Sequence, residues 1–167
     1  MFYVSSSQIV AQMPEGIQPG LATVIVKNGT STSNAVAVMI PGTATPQIGV
    51  YNSNRAVVTD TNYNLNTAAN PAKVGDTLVA WFTGGGPVQG PGKLTAGAVS
   101  PSGELVPEPY SITVGGVNAT VGYIGLTPDS IGLYQANFVV PSVPSGSQAV
   151  VIAIDGFASN APVITIK

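Results

Sequence analysis

The chain has 167 residues, 44% of them hydrophobic and only 7% charged, with a net charge of −2 at neutral pH. Its basic residues, Lys27, Arg55, Lys73, Lys93 and Lys167, are scattered, which excludes a row of phosphate contacts for nucleic acid and strong attraction to an anionic membrane. Cysteine and histidine are both absent, which excludes disulfides, thiolate chemistry, Cys or His metal ligation and Ser-His-Asp triads.

The chain opens with Met1-Phe2-Tyr3-Val4 running into Ser5-Ser6-Ser7, which is not a signal-peptide pattern, so an exported protein of this sequence is expected to be a mature or excised form. Gln8 to Met13 reads as a short extended run stopped by Pro14. Leu21 to Lys27 is rich in β-branched residues and ends in Asn28-Gly29, a two-residue hairpin signal. Ala35 to Ile40 answers it, and Pro41-Gly42 ends it. Thr43 to Pro46 reads as a linker. Ile48 to Tyr51 and Ala56 to Thr59 are short strands, followed by an Asn-rich loop from Asp60 to Pro71. Thr77 to Phe82 is the expected central strand, broken by Thr83-Gly84-Gly85-Gly86-Pro87. Its alternation puts Leu78, Ala80 and Phe82 on one face and Val79, Trp81 and Thr83 on the other, and Trp81 is expected in the core.

Gln89 to Glu108 is a Gly/Pro-rich loop or loose hairpin. Tyr110 to Val114 and Asn118 to Tyr123 flank Gly115-Gly116 as a hairpin, and Thr127 to Gly132 is a turn-rich connection. Tyr134 to Val140, Gln148 to Ile154 and Pro162 to Ile166 close the chain. Helical periodicity is missing, and short strands between Gly/Pro turns predict an all-β, immunoglobulin-like β-sandwich. No run approaches the length of a membrane-spanning segment.

The closing third repeats the opening. Gln8 and Gln135 lie 127 positions apart, and Asn34 and Asn160 lie 126 apart. Pro14, Gly20, Asn28-Gly29 and Ser33-Asn34-Ala35 echo Pro141, Gly146, Asp155-Gly156 and Ser159-Asn160-Ala161. Residues 1–44 therefore read as a partial unit, closing strands only, and residues 45–167 as a complete unit. A partial unit cannot bury its own apolar face. Its strands are expected either to pack on the complete unit, the slightly favoured arrangement, or to be completed by a neighbouring chain.

Several ordered motifs carry a family resemblance. They are Ser5 to Pro14, Asn70-Pro71-Ala72-Lys73-Val74-Gly75-Asp76, Thr83-Gly84-Gly85-Gly86, Tyr123-Ile124-Gly125 and Gly132-Leu133-Tyr134-Gln135-Ala136-Asn137. Together they resemble the Solibacter-type uncharacterised C-terminal domain of long exported bacterial proteins, across nearly the whole chain. Val10 stands where that family has Asn, and the Asp60 to Asn66 loop is reworded. The closing strands also resemble those of immunoglobulin-like IPT/TIG domains. The resemblance implies an extracellular, immunoglobulin-like, non-enzymatic module and transfers no catalytic residue.

Candidate chemistry is sparse. No lysine is preceded three positions earlier by serine, as a Ser-Lys nucleophile pattern requires. The acids Glu15, Asp60, Asp76, Glu104, Glu108, Asp129 and Asp155 are dispersed. Gly90-Pro91-Gly92-Lys93-Leu94 fails as a phosphate loop, since Pro87 and Leu94 replace the required Gly and hydroxyl residue. Gly84-Gly85-Gly86 reads as a tight turn or close backbone approach. Asp60, Asn62 and Asn64 have the alternate-oxygen spacing of a calcium loop, but Leu65 and Pro71 replace its Gly and Glu, leaving only a nonstandard site. Asn28 and Asn118 fit the glycosylation sequon at hairpin turns. A Lys–Asn isopeptide crosslink needs a buried lysine.

No catalytic, cofactor-binding or metal-binding residue is assigned, and no cofactor is expected. The chain reads as a non-catalytic, secreted or cell-surface module of bacterial type: a stalk, adhesin segment or filament subunit, partnered with itself or with neighbouring domains by strand complementation. The alternative is a carbohydrate-binding module using the aromatics Tyr51, Tyr63, Tyr110 and Phe157.

Overall fold

The computed structural model describes residues 3–13, 17–42, 44–92, 94–95, 97–107 and 109–167. The expectations that fall on Pro14, Glu15, Thr43, Lys93 and Glu108 lie outside the described residues. Among the described residues the protein is all-β, with no helix. The first strands are β1 (Tyr3–Val4), β2 (Ile9–Val10), β3 (Gly20–Val24), β4 (Lys27–Asn28), β5 (Ser31–Thr32) and β6 (Val36–Ile40). Next come β7 (Gln47–Ile48), β8 (Val50–Tyr51), β9 (Arg55–Ala56), β10 (Val58–Asp60) and β11 (Thr77–Thr83). They are followed by β12 (Tyr110–Val114), β13 (Val117–Asn118) and β14 (Thr120–Leu126). The last four are β15 (Tyr134–Val139), β16 (Gly146–Ile154), β17 (Phe157–Ala158) and β18 (Val163–Ile166).

β7 to β18 form two sheets. One runs β10-β11-β15-β14 with β7 also on β11; the other runs β13-β12-β16-β18-β9-β8 with β17 on β16. One core cluster draws on both, including Leu78, Ala80, Phe82 and Phe138 from the first and Ile112, Val150, Ile152 and Ile164 from the second. This is the face-to-face burial of a β-sandwich. Leu78, Ala80 and Phe82 share a face, as the alternation predicts, and that face is the inward one.

Three expectations need correction. Trp81 is not in the core: it lies half-buried on the outer face of β11. In a two-layer sandwich each sheet has one buried face, and here Phe82 and its neighbours fill it. The runs 48–51 and 56–59 are not single strands, because each crosses from one sheet to the other. Gly49 and Val57 sit at the crossings, where Gly49 N–H donates to Trp81 C=O (2.9 Å) and Val57 N–H to Gly49 C=O (2.7 Å). Likewise the hairpin at Gly115-Gly116 pairs only Thr113 with Asn118 and Val114 with Val117, after which the chain moves to the other sheet as β14.

β1 to β6 join neither sheet. β1 pairs with β2, β3 with β6, and β4 with β5. Among the described residues the ribbon from Gly20 to Ile40 therefore has two unpaired edges, and it stands in solvent, with Leu21 75% and Met39 68% exposed. The favoured expectation, that these strands pack on the rest of the chain, is not met for the ribbon. The segments at its base approach the sandwich. Gln12 Oε1 accepts a bond from Gly97 N–H (2.8 Å), and an open apolar cleft separates Met13, Ile17, Pro19 and Ile40 from Val88 and Tyr134.

Candidate functional site

The ribbon is a register-perfect copy of a hairpin in the sandwich. Gly20 pairs with Ile40 and Thr23 with Ala37; 126 positions on, Gly146 pairs with Ile166 and Ala149 with Val163. Both begin at a glycine with positive φ, 129° at Gly20 and 114° at Gly146. The same serine fixes both. Ser33 Oγ accepts from Val26 N–H (2.9 Å) and donates to Asn34 C=O (2.8 Å), while Ser33 N–H donates to Val26 C=O (2.9 Å). Ser159 repeats all three bonds with Ile152 and Asn160.

That register corrects the turn. The two residues at the ribbon tip are Gly29-Thr30, not Asn28-Gly29, because Asn28 pairs with Ser31. Gly29 has φ 60°, the positive first position of a two-residue turn with Gly leading. Its counterpart Asp155-Gly156 has positive φ at both positions. A turn at Asn28-Gly29 would pair Lys27 with Thr30 in place of Thr32, a slip that the Ser33 bonds to Val26 oppose.

What differs is the cover. Val150 and Ile152 are fully buried, whereas their counterparts Val24 and Val26 are 44% and 42% exposed. β16 has β12 on its edge, β18 has β9, and Asn160 holds the backbone of Ile48 through both amide atoms (2.8 and 2.9 Å). β3 and β6 have no such neighbours, and the exposed Asn34 side chain makes no hydrogen bond among the described residues.

A second feature lies on the outer face of the five-stranded sheet. Trp81 stacks with Tyr63 at a ring-centroid separation of 6.1 Å and an interplanar angle of 25°. Trp81 Nε1–H donates to Thr59 Oγ1 (3.3 Å). Tyr63 is 75% exposed and has φ 65°, a left-handed conformation that costs a bulky residue about 1–2 kcal/mol. The Asp60 carboxylate shapes its loop: Oδ1 accepts from the Asn62 and Asn64 N–H groups (2.8 and 2.9 Å) and Oδ2 from Asn64 Nδ2 (2.9 Å). The Asn64 side-chain amide, then its backbone amide, hold the Asp60 pKa below the ordinary aspartate range. These bonds explain the Asp-x-Asn-x-Asn spacing as a loop tie.

In register beside Trp81 lies Gln135, and beside Val79 lies Asn137; Gln135 Nε2 donates to Asn137 Oδ1 (3.1 Å). Tyr123, paired with Asn137 from β14, donates its hydroxyl to Leu126 C=O (2.6 Å). Burial, then the charge of Glu104, push the Tyr123 pKa up.

Asp60 and Asp76 line one small polar cleft with Asn64, Asn66 and Asn70, yet Asp76 Oδ2 already accepts Lys73 N–H (2.8 Å) and Asn66 Oδ1 accepts Thr165 N–H (2.7 Å). Among the described residues no group of three acids could hold a metal ion. Glu104, fully buried, accepts Gly92 N–H (2.8 Å), so an internal carboxylate occupies the amide that a phosphate would need in the Gly90–Leu94 segment. At Gly84-Gly85-Gly86 a Cβ on Gly85 would lie 2.5 Å from the Tyr134 ring, the close approach expected there. Lys27, Lys73 and Lys167 are exposed, which removes each as a buried isopeptide donor. Among the aromatics, Tyr110 packs against the core and Tyr51 donates to Asn66 C=O (2.7 Å), while Tyr63 and Phe157 are exposed.

No protein-family model matches the chain, and no curated protein is similar to it.

Proposed function

We propose that this chain is a non-catalytic, extracellular interaction module of immunoglobulin-like units, joined to a second copy of its own fold by strand complementation along the Gly20–Ile40 ribbon. Asn34 carries this reading. Its counterpart Asn160 grips the backbone of Ile48 in the first strand of the sandwich, and Asn34 sits at the same position of the same hairpin with no strand to grip among the described residues. The unpaired edges of β3 and β6 offer backbone donors and acceptors to an added strand. Val24 and Val26 are 44% and 42% exposed, so covering them as Val150 and Ile152 are covered contributes roughly 1 kcal/mol per side chain.

A ribbon at one end of the chain meeting a different surface of the next copy makes a head-to-tail contact, which need not close and so builds a filament, stalk or fibre. The low charge and the Ser, Thr, Asn and Gly surface favour an exported, close-packed assembly, and the motifs resembling the Solibacter-type domain agree with that setting. Sedimentation velocity across micromolar concentrations tests the proposal. Reversible association that is lost in Val26→Asp supports it; a monomer at every concentration contradicts it.

A further inference from the structure

The Tyr63–Trp81 stack calls for an explanation beyond folding. An exposed tyrosine held in a left-handed conformation by an acid-tied loop gains little burial for the strain it carries. Trp81 backs one side of Tyr63 and is itself fixed through Thr59, so the aromatic pair is pre-positioned with the ring of Tyr63 towards solvent. Beside it the sheet presents uncharged amides. The Gln135–Asn137 bond uses one donor of Gln135 and the acceptor of Asn137; Gln135 Oε1 and Asn137 Nδ2 make no hydrogen bond among the described residues. From β10 through β11 and β15 to β14 the surface spans three strand spacings, roughly 14 Å, and ends on Tyr123.

We propose that this outer face, centred on Tyr63 and Trp81 with Gln135 and Asn137 beside them, binds a neutral saccharide chain. The C–H face of a pyranose ring is apolar and flat, and matches an aromatic ring, while its rim of hydroxyls matches amide donors and acceptors. The residues named on this face bring no positive charge, which disfavours phosphate- and sulfate-bearing ligands. A stacked base would equally suit the rings, but the scattered basic residues supply no backbone-tracking groove for a nucleic acid. The site is separate from the ribbon, so its failure would leave the assembly reading untouched.

The full chain is tested by affinity electrophoresis through gels containing mannan, xylan, mixed-linkage β-glucan, glycol chitin or, as an anionic arm, alginate. Emission of Trp81, the chain's single tryptophan, is followed during titration with the corresponding neutral oligosaccharides. The expected result is retardation by at least one neutral polymer and a saturable change in emission. Tyr63→Ala weakens both about tenfold, while Tyr63→Phe keeps the ring and the binding. Phe157→Ala, an exposed aromatic on the other sheet, leaves them unchanged. Retardation by none of the neutral polymers, retardation by alginate alone, or retardation that persists in a folded Tyr63→Ala variant overturns the proposal.

Discussion

Asn160 holds Ile48 at both ends of one peptide contact: its Oδ1 accepts the Ile48 N–H at 2.8 Å and its Nδ2 donates to the Ile48 C=O at 2.9 Å. A side chain from the closing hairpin thus mimics a β-ladder partner for the first strand of the sandwich. Asn160→Ala leaves the backbone groups of a buried residue without partners, and a loss of about 1–3 kcal/mol is expected in chemical denaturation. Asn34→Ala, at the matching position of the ribbon, changes monomer stability by no more than about 0.5 kcal/mol, because nothing is bound there.

The same contrast extends to the apolar seam. Ile152→Ala opens a cavity at a fully buried site and costs about 2–5 kcal/mol. Val26→Ala, its counterpart on the ribbon, costs the dilute monomer less than about 1 kcal/mol. Equal losses at the two positions, measured by denaturant midpoints at nanomolar concentration, would mean that the ribbon is already covered within one chain.

Gly85→Ala tests the packing of the glycine run on Tyr134. Its Cβ would lie 2.5 Å from the ring, and Tyr134 is tied through its hydroxyl to Gly86 C=O, so neither partner can yield easily. A loss of about 1–3 kcal/mol is expected, read as a lowered thermal midpoint.

Acid should loosen the Tyr63 loop before the fold. The ionised form of Asp60 is favoured in the folded loop, by the Asn64 side chain first and the backbone amides of Asn64 and Asn62 after it. Its contribution is complete above the ordinary aspartate pKa of the unfolded chain and disappears as the pH falls through the lowered folded value. Trp81 emission should stay constant down through the ordinary aspartate range and change only below it. In Asp60→Asn that acid step should be absent.

That Leu78, Ala80 and Phe82 share one face of β11 was legible because strict alternation is a local signal. The place of Trp81 was not. Alternation separates two faces without saying which one meets the other sheet, and a large aromatic suits either. The sheet crossings at Gly49 and Val57 were hidden for a related reason: the pairing partners, Trp81 among them, are remote in sequence. The repeat was readable from Gln8, Ser33 and Asn34 against Gln135, Ser159 and Asn160, yet the tip register needed the Ser33 bonds to Val26, since the Asn-Gly dipeptide suggests a turn one residue early. Of the sheet-face site, the sequence offered Tyr63 as one of four candidate aromatics, beside Tyr51, Tyr110 and Phe157. Gln135 and Asn137 joined it only through the register of β15 on β11.

Hydrogen exchange of the backbone amides of β3 and β6, measured by mass spectrometry at nanomolar and at high micromolar concentration, tests strand complementation most directly. The account predicts rapid exchange when dilute and strong protection of both strands when concentrated, with the amides of β16 and β18 protected throughout. Rapid exchange of β3 and β6 at every concentration would contradict it.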